Sequence, residues 1–130
     1  MAKSLLVSIV DDDESVREAL PDLVEQLGYS AKAFSSAEEF LGSDCVGMTN
    51  CLILDVSMPG MSGPDLQREL ALRRQRIPIV FITAHGGEAI RRRLVEQGAV
   101  EYLLKPFSDI ALREALDKEL RANGPSALGT

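Results

Sequence analysis

Three carboxylate positions and one lysine have the types and settings for phosphoryl and divalent-cation chemistry. Asp55 closes the apolar run Cys51-Leu52-Ile53-Leu54 and precedes the Pro/Gly segment Val56-Ser57-Met58-Pro59-Gly60-Met61-Ser62-Gly63. Asp11-Asp12-Asp13 follows a second apolar run, Leu5-Leu6-Val7-Ser8-Ile9-Val10, and Lys105 follows a third, Val100-Glu101-Tyr102-Leu103-Leu104. A carboxylate at the carboxyl end of a buried strand is held rigidly yet faces solvent. If these strand ends converge, adjacent acids repel, and burial worsens the repulsion by disfavouring their charged forms. A Mg²⁺ ion (or Mn²⁺) reverses that balance, because it takes hard oxygen ligands and keeps several waters. Asp12, Asp55 and the backbone carbonyl of Ser57 are the expected direct ligands, with Asp11 acting through a bound water. Asp55 then suits the role of a nucleophile that forms a carboxyl-phosphate anhydride. That chemistry asks for positioning and charge neutralisation more than for proton transfer. Lys105 offers a point charge to one phosphoryl oxygen, Thr83 offers a hydroxyl to another, and the small Ala84 leaves the group accessible. Asp13 and Glu14 fit better as acids that cap a helix N-terminus.

The elements that must bring these residues together are legible as alternation. Five apolar runs, at Ser4 to Val10, Ser30 to Phe34, Cys51 to Leu54, Pro78 to Thr83 and Val100 to Leu104, are separated by stretches with helical period. Most of the runs are continuously apolar, as in strands covered on both faces of a parallel sheet. Ser30-Ala31-Lys32-Ala33-Phe34 alternates instead and predicts an edge strand. Val16, Ala19, Leu20, Leu23, Val24 and Leu27 share one helical face that ends at Gly28, and Pro21 is expected to bend or disturb this helix. Ser36-Ala37-Glu38-Glu39 has the capping-box pattern, and Pro64 suits the first turn of a third helix. A fourth helix is expected from about Glu88 to Gln97 and a fifth from about Asp109 to Ala122. Repeated strand–helix alternation means an open α/β sheet with right-handed crossovers. Ligands of such sheets sit beyond the carboxyl ends of the strands, where Asp11, Asp12, Asp55, Thr83 and Lys105 all fall.

Composition narrows the function classes. With 130 residues, 45% of them hydrophobic, the chain is sized for one domain with its own core. Fourteen Lys+Arg against 20 Asp+Glu give a formal charge of −6, which argues against direct binding of nucleic acid or an anionic membrane. No apolar run is long enough to span a bilayer. The first residues carry no signal-peptide pattern, and Cys45 and Cys51, without a C-x-x-C spacing, fit reduced thiols; both predict a cytoplasmic protein. His85 is the lone histidine and is expected to be a loop side chain, not a metal ligand. Arg73-Arg74-Gln75-Arg76 is expected to be a solvated face, and so is Arg91-Arg92-Arg93, which also offers a surface for an acidic partner.

Taken together, Ile9-Val10-Asp11-Asp12-Asp13, Leu54-Asp55 through Gly63, Ile82-Thr83-Ala84 and Lys105-Pro106-Phe107 closely resemble the receiver domain of two-component response regulators. The resemblance covers Ser4 to Ala122, and the wording around Asp11 and Tyr102 is most similar to receivers of the FixJ type. It implies a five-stranded parallel sheet in the order 2-1-3-4-5, flanked by five helices in the flavodoxin-like three-layer arrangement. It implies that Asp55 takes a phosphoryl group from a sensor histidine kinase, that Asp11, Asp12, Asp55 and the Ser57 carbonyl organise Mg²⁺, and that Lys105 contacts the phosphoryl group. It further implies that Thr83 and Tyr102 form a switch pair. The surface of the fourth helix, fifth strand and fifth helix would then change, dimerise or dock effectors, and control an output such as transcription through a DNA-binding domain outside this chain. Residues 4–122 are the expected receiver and 123–130 a linker or frayed tail. In this family Ser57 and His85 occupy positions that influence how fast the acyl phosphate hydrolyses, and Gly86-Gly87 predicts a mobile loop.

Other readings fit less well. A stand-alone receiver that relays phosphate or binds a protein stays open. An aspartyl-phosphate phosphatase wants an acid where Ser57 stands. An FMN-binding module wants a Ser/Thr/Gly loop where Asp11-Asp12-Asp13 stands. Lys105-Pro106 leaves its peptide isomer open.

Overall fold

The computed structural model describes residues 5–84, 88–96, 98–99 and 101–123. His85, Gly86 and Gly87 lie outside the described residues, as does the stretch 124–130. Five strands, β1 (Leu6–Val10), β2 (Ser30–Phe34), β3 (Cys51–Asp55), β4 (Ile79–Thr83) and β5 (Glu101–Leu104), alternate with α1 (Glu14–Gln26), α2 (Ala37–Leu41), α3 (Gly63–Leu72), α4 (Glu88–Glu96) and α5 (Asp109–Asn123). A short 3-10 turn at Val46–Met48 precedes β3. All pairings are parallel and the strand order is β2-β1-β3-β4-β5, as the family resemblance implies.

Burial explains why the strands read as they do. Every residue of β3 and β4 is buried, because both strands are central and covered on both faces. β2 alternates between exposed and half-buried positions up to the buried Phe34 and lies at the sheet edge. The two faces carry separate cores. Val10, Leu52, Leu54 and Phe81 pack with Phe34, Phe40, Leu66 and Leu94 on one side. Val7, Ile9, Ile53, Val80 and Ile82 pack with Leu20, Val24, Leu112 and Leu116 on the other. Fully burying one such side chain stabilises the fold by about 1.5–3 kcal/mol, so the two layers fix the sheet register and with it the strand ends.

Helix starts follow their caps. The Asp13 carboxylate accepts from the Ser15 N–H at 3.0 Å, the capping role expected of it. The Ser36 hydroxyl accepts from the Glu39 N–H at 3.0 Å. Ser62 and Asp65 form a reciprocal capping box at α3, with Pro64 in the first turn. α1 continues through Pro21 as one helix; the proline does not end it. Gly28, just beyond α1, takes φ +103°, a conformation open to glycine at little steric cost.

Candidate functional site

The carboxyl ends of β1 and β3, which are neighbours in the sheet, bring Asp11 and Asp55 side by side. Carboxylate oxygens of Asp11, Asp12 and Asp55 all lie within 4.8 Å of one another. Asp11 is fully buried and Asp55 is only 6% exposed, whereas Asp12 is exposed. β5 delivers the counter-charge: Lys105 Nζ stands 2.7 Å from Asp11 Oδ2 and 4.0 Å from Asp55 Oδ1. Its backbone is tied to the neighbouring strand, with the Lys105 N–H donating to the Thr83 carbonyl at 2.7 Å. The Lys105–Pro106 peptide is cis.

Local hydrogen bonds fix the first acidic loop. Asp11 Oδ1 accepts from the Asp13 N–H at 2.9 Å, and the Asp11 N–H donates to the Phe34 carbonyl at 3.1 Å. Arg17, one turn into α1, donates from Nη1 to the Asp11 carbonyl at 3.0 Å. This contact is not legible in the sequence: a helical arginine that folds back over its own cap looks the same as a solvated one.

Charge dominates the energetics. Burial, then the adjacent Asp11 charge, push the Asp55 carboxyl up to about 7, while Lys105 and the Ser57 N–H pull the other way without prevailing. Desolvation alone would lower the Lys105 ammonium, but the Asp11 hydrogen bond and the charges of Asp11 and Asp55 outweigh it and hold the group above its ordinary value. One lysine thus faces three carboxylates. The donor set is all oxygen, partly buried and short of positive charge, and it fits a hard divalent cation of the Mg²⁺ or Mn²⁺ kind.

The remaining expected residues fall on or just after β3, β4 and β5. Thr83 ends β4 and is 2% exposed. Ser57 is exposed, two residues past Asp55, and Ala84 is exposed beside Thr83. Tyr102 sits within β5, buried, and its phenol oxygen has no hydrogen-bond partner among the described residues. Cys45 and Cys51 are free and buried, and burial raises the Cys51 thiol to about 12. No helix among the described residues is long and apolar enough to cross a membrane.

Comparisons with known proteins agree on one family. The model of the response regulator receiver domain matches residues 7–117. Nodulation protein W of Bradyrhizobium diazoefficiens is 45% identical over 111 residues, 85% of this chain and 49% of that protein. Transcriptional regulatory protein FixJ of Azorhizobium caulinodans is 36% identical over 120 residues, 92% of this chain and 57% of that protein. Among solved structures, response regulator StyR is 41% identical with a TM-score of 0.85, covering 98% of this chain and 64% of that one. FixJ-N is 34% identical with a TM-score of 0.81, covering 92% and 96% respectively. The chain spans about half the length of the curated relatives it matches.

Proposed function

The chain belongs to the response regulator receiver family of two-component systems, and from that premise we propose that Asp55 accepts a phosphoryl group from the phosphohistidine of a partner kinase. The observation that supports this most is the Asp55 carboxylate, nearly buried at the end of β3, with two further carboxylates within 4.8 Å and an ammonium at 4.0 Å. An Asp55 oxygen attacks phosphorus; the O–P bond forms as the N–P bond breaks, and the electron pair returns to the imidazole nitrogen, which takes up a proton. Asp11, Asp12, Asp55 and the Ser57 carbonyl would hold a Mg²⁺ or Mn²⁺ ion. Bound there, the ion neutralises charge on the phosphoryl oxygens. Lys105, already oriented by Asp11, turns its ammonium to a phosphoryl oxygen, and the Thr83 hydroxyl donates to another. Positioning and charge carry the reaction, so the receiver needs no general base and is a phosphoacceptor more than a conventional enzyme.

Switching follows from Thr83 and Tyr102. A buried hydroxyl without a partner costs about 1–3 kcal/mol, so the buried placement of Tyr102 carries a penalty. When the phosphoryl group draws the Thr83 hydroxyl, the space it leaves favours the inward ring and biases the α4-β5-α5 surface. Several relatives are named transcriptional regulatory proteins, which supports an output through a DNA-binding domain beyond this chain. In this reading residues 4–122 are the receiver and 123–130 a linker or tail, and the protein works in the cytoplasm.

Incubation with acetyl phosphate and Mg²⁺ tests the assignment by intact mass. The wild type gains one phosphoryl group and Asp55→Asn gains none. Equal labelling of both proteins rejects Asp55 as the acceptor.

A further inference from the structure

The loop from Val56 to Ser62 contains Ser57, whose carbonyl is read above as a metal ligand, so whatever steadies the loop steadies that oxygen. Its two ends are tied to the sheet and to its own helix. The Val56 N–H donates to the Ile82 carbonyl and the Gly63 N–H to the Val56 carbonyl, each at 3.0 Å. The Ser62 N–H donates to the Asp65 carboxylate at 3.2 Å. The middle of the loop is held from a different element. Glu38, the second residue of α2, accepts from the Met61 N–H through Oε2 at 3.1 Å, across 23 positions of sequence.

A second observation places the same carboxylate over the preceding residue. Gly60 has φ +76°, and a Cβ built there would stand 2.9 Å from Glu38 Oε2. The backbone at Gly60–Met61 and the glutamate are therefore in direct contact. The neighbouring acid does something else: Glu39 Oε1 accepts from the Ser35 N–H at 2.6 Å and completes the start of α2. Two adjacent glutamates of one short helix thus diverge, one serving the helix and the other serving the loop. Nothing in the helix itself calls for Glu38 to reach across.

We infer that Glu38 is a positioning residue, a clamp from α2 that fixes the loop after Asp55 and so presents the Ser57 carbonyl to the bound cation. This rests on the metal reading of the Asp11–Asp12–Asp55 cluster given above. A carboxylate accepting from a backbone N–H is a charge-assisted bond, and it is exposed, so its loss loosens the loop without unfolding the domain.

Mg²⁺ titration by isothermal calorimetry, with a melting curve for each protein, tests the inference. Glu38→Ala and Glu38→Asp, which lacks the reach, bind Mg²⁺ about fivefold more weakly than wild type. Glu38→Gln, which keeps an acceptor oxygen at the same distance, stays within about twofold of wild type. Wild-type affinity in Glu38→Ala overturns the clamp, whether or not its melting temperature falls, and so does a Glu38→Gln affinity no better than that of Glu38→Ala. Asp12→Ala in the same titration separates the two layers. If it binds Mg²⁺ as wild type does, the metal reading itself fails; if it loses Mg²⁺ while Glu38→Ala does not, only the clamp fails.

Discussion

At Asp55, burial and the Asp11 charge raise the carboxyl to about 7, well above its value in an unfolded chain, about 3.9. Between roughly pH 4 and pH 7 the folded protein therefore binds more protons at this residue than the unfolded chain does, and stability contributed here falls as pH rises through that window. Asp13 and Asp65 are held below the ordinary carboxylate range by their capping bonds. The stability they lend is lost only below about pH 4, outside the window. A cation on Asp55 reverses the penalty, and its binding must expel the proton. Mg²⁺ is thus expected to raise the melting temperature more at pH 8 than at pH 5, and its affinity is expected to drop as pH falls through about 7. Calorimetric titration across that range checks both; a flat affinity profile would contradict the raised carboxyl. The sequence identified Asp11, Asp12, Asp55 and Lys105 by type and by place at strand ends. It did not reveal that Lys105 stands closer to Asp11 than to Asp55, because a side-chain distance depends on three strands packed together.

Among the elements, β3 and α3 approach closely at their junction. An ideal Cβ on Gly63 would fall 2.4 Å from the Asp55 carbonyl oxygen, 3.1 Å from Val56 Cα and 3.0 Å from Phe81 Cε1. Two of these are backbone atoms of the acceptor strand and its exit, and they have nowhere to go. Gly63→Ala is expected to lower unfolding free energy by about 1–3 kcal/mol through overpacking, although alanine is the better helix former by about 1 kcal/mol. It is also expected to slow acetyl phosphate labelling by displacing Asp55. Urea unfolding with a parallel labelling time course measures both, and an alanine variant as stable and as reactive as wild type would refute the close approach. Element types and the capping roles of Ser36 and Asp13 were legible because each obeys a local rule. Pro21 lies inside α1 as expected, and packing of Leu20 and Val24 against the sheet holds the helix on both sides of it.

Over the whole molecule, charge and apolar surface are unevenly spent. Ile90 on α4, Leu104 on β5 and Ile110 on α5 are each 46% exposed or more, although they are large apolar side chains that gain from burial. They belong to the three elements proposed to respond to phosphorylation. The domain treated with acetyl phosphate and Mg²⁺ is accordingly expected to dimerise through this surface, and Leu104→Glu is expected to keep it monomeric without preventing labelling. Sedimentation velocity of both proteins decides; labelled wild type that stays monomeric, or a variant that still dimerises, removes the α4-β5-α5 interface. By itself the sequence determined the α/β alternation, the edge position of β2 and the chemical types gathered at the strand ends, since all of these follow from periodicity and from residues near one another in the chain. Only the tertiary structure decided that Arg17 grips the Asp11 carbonyl, that Tyr102 buries a phenol without a hydrogen-bond partner among the described residues and that Glu38 reaches the Gly60–Met61 backbone. Each of those depends on where separate elements come to rest against the sheet, and no local pattern encodes that.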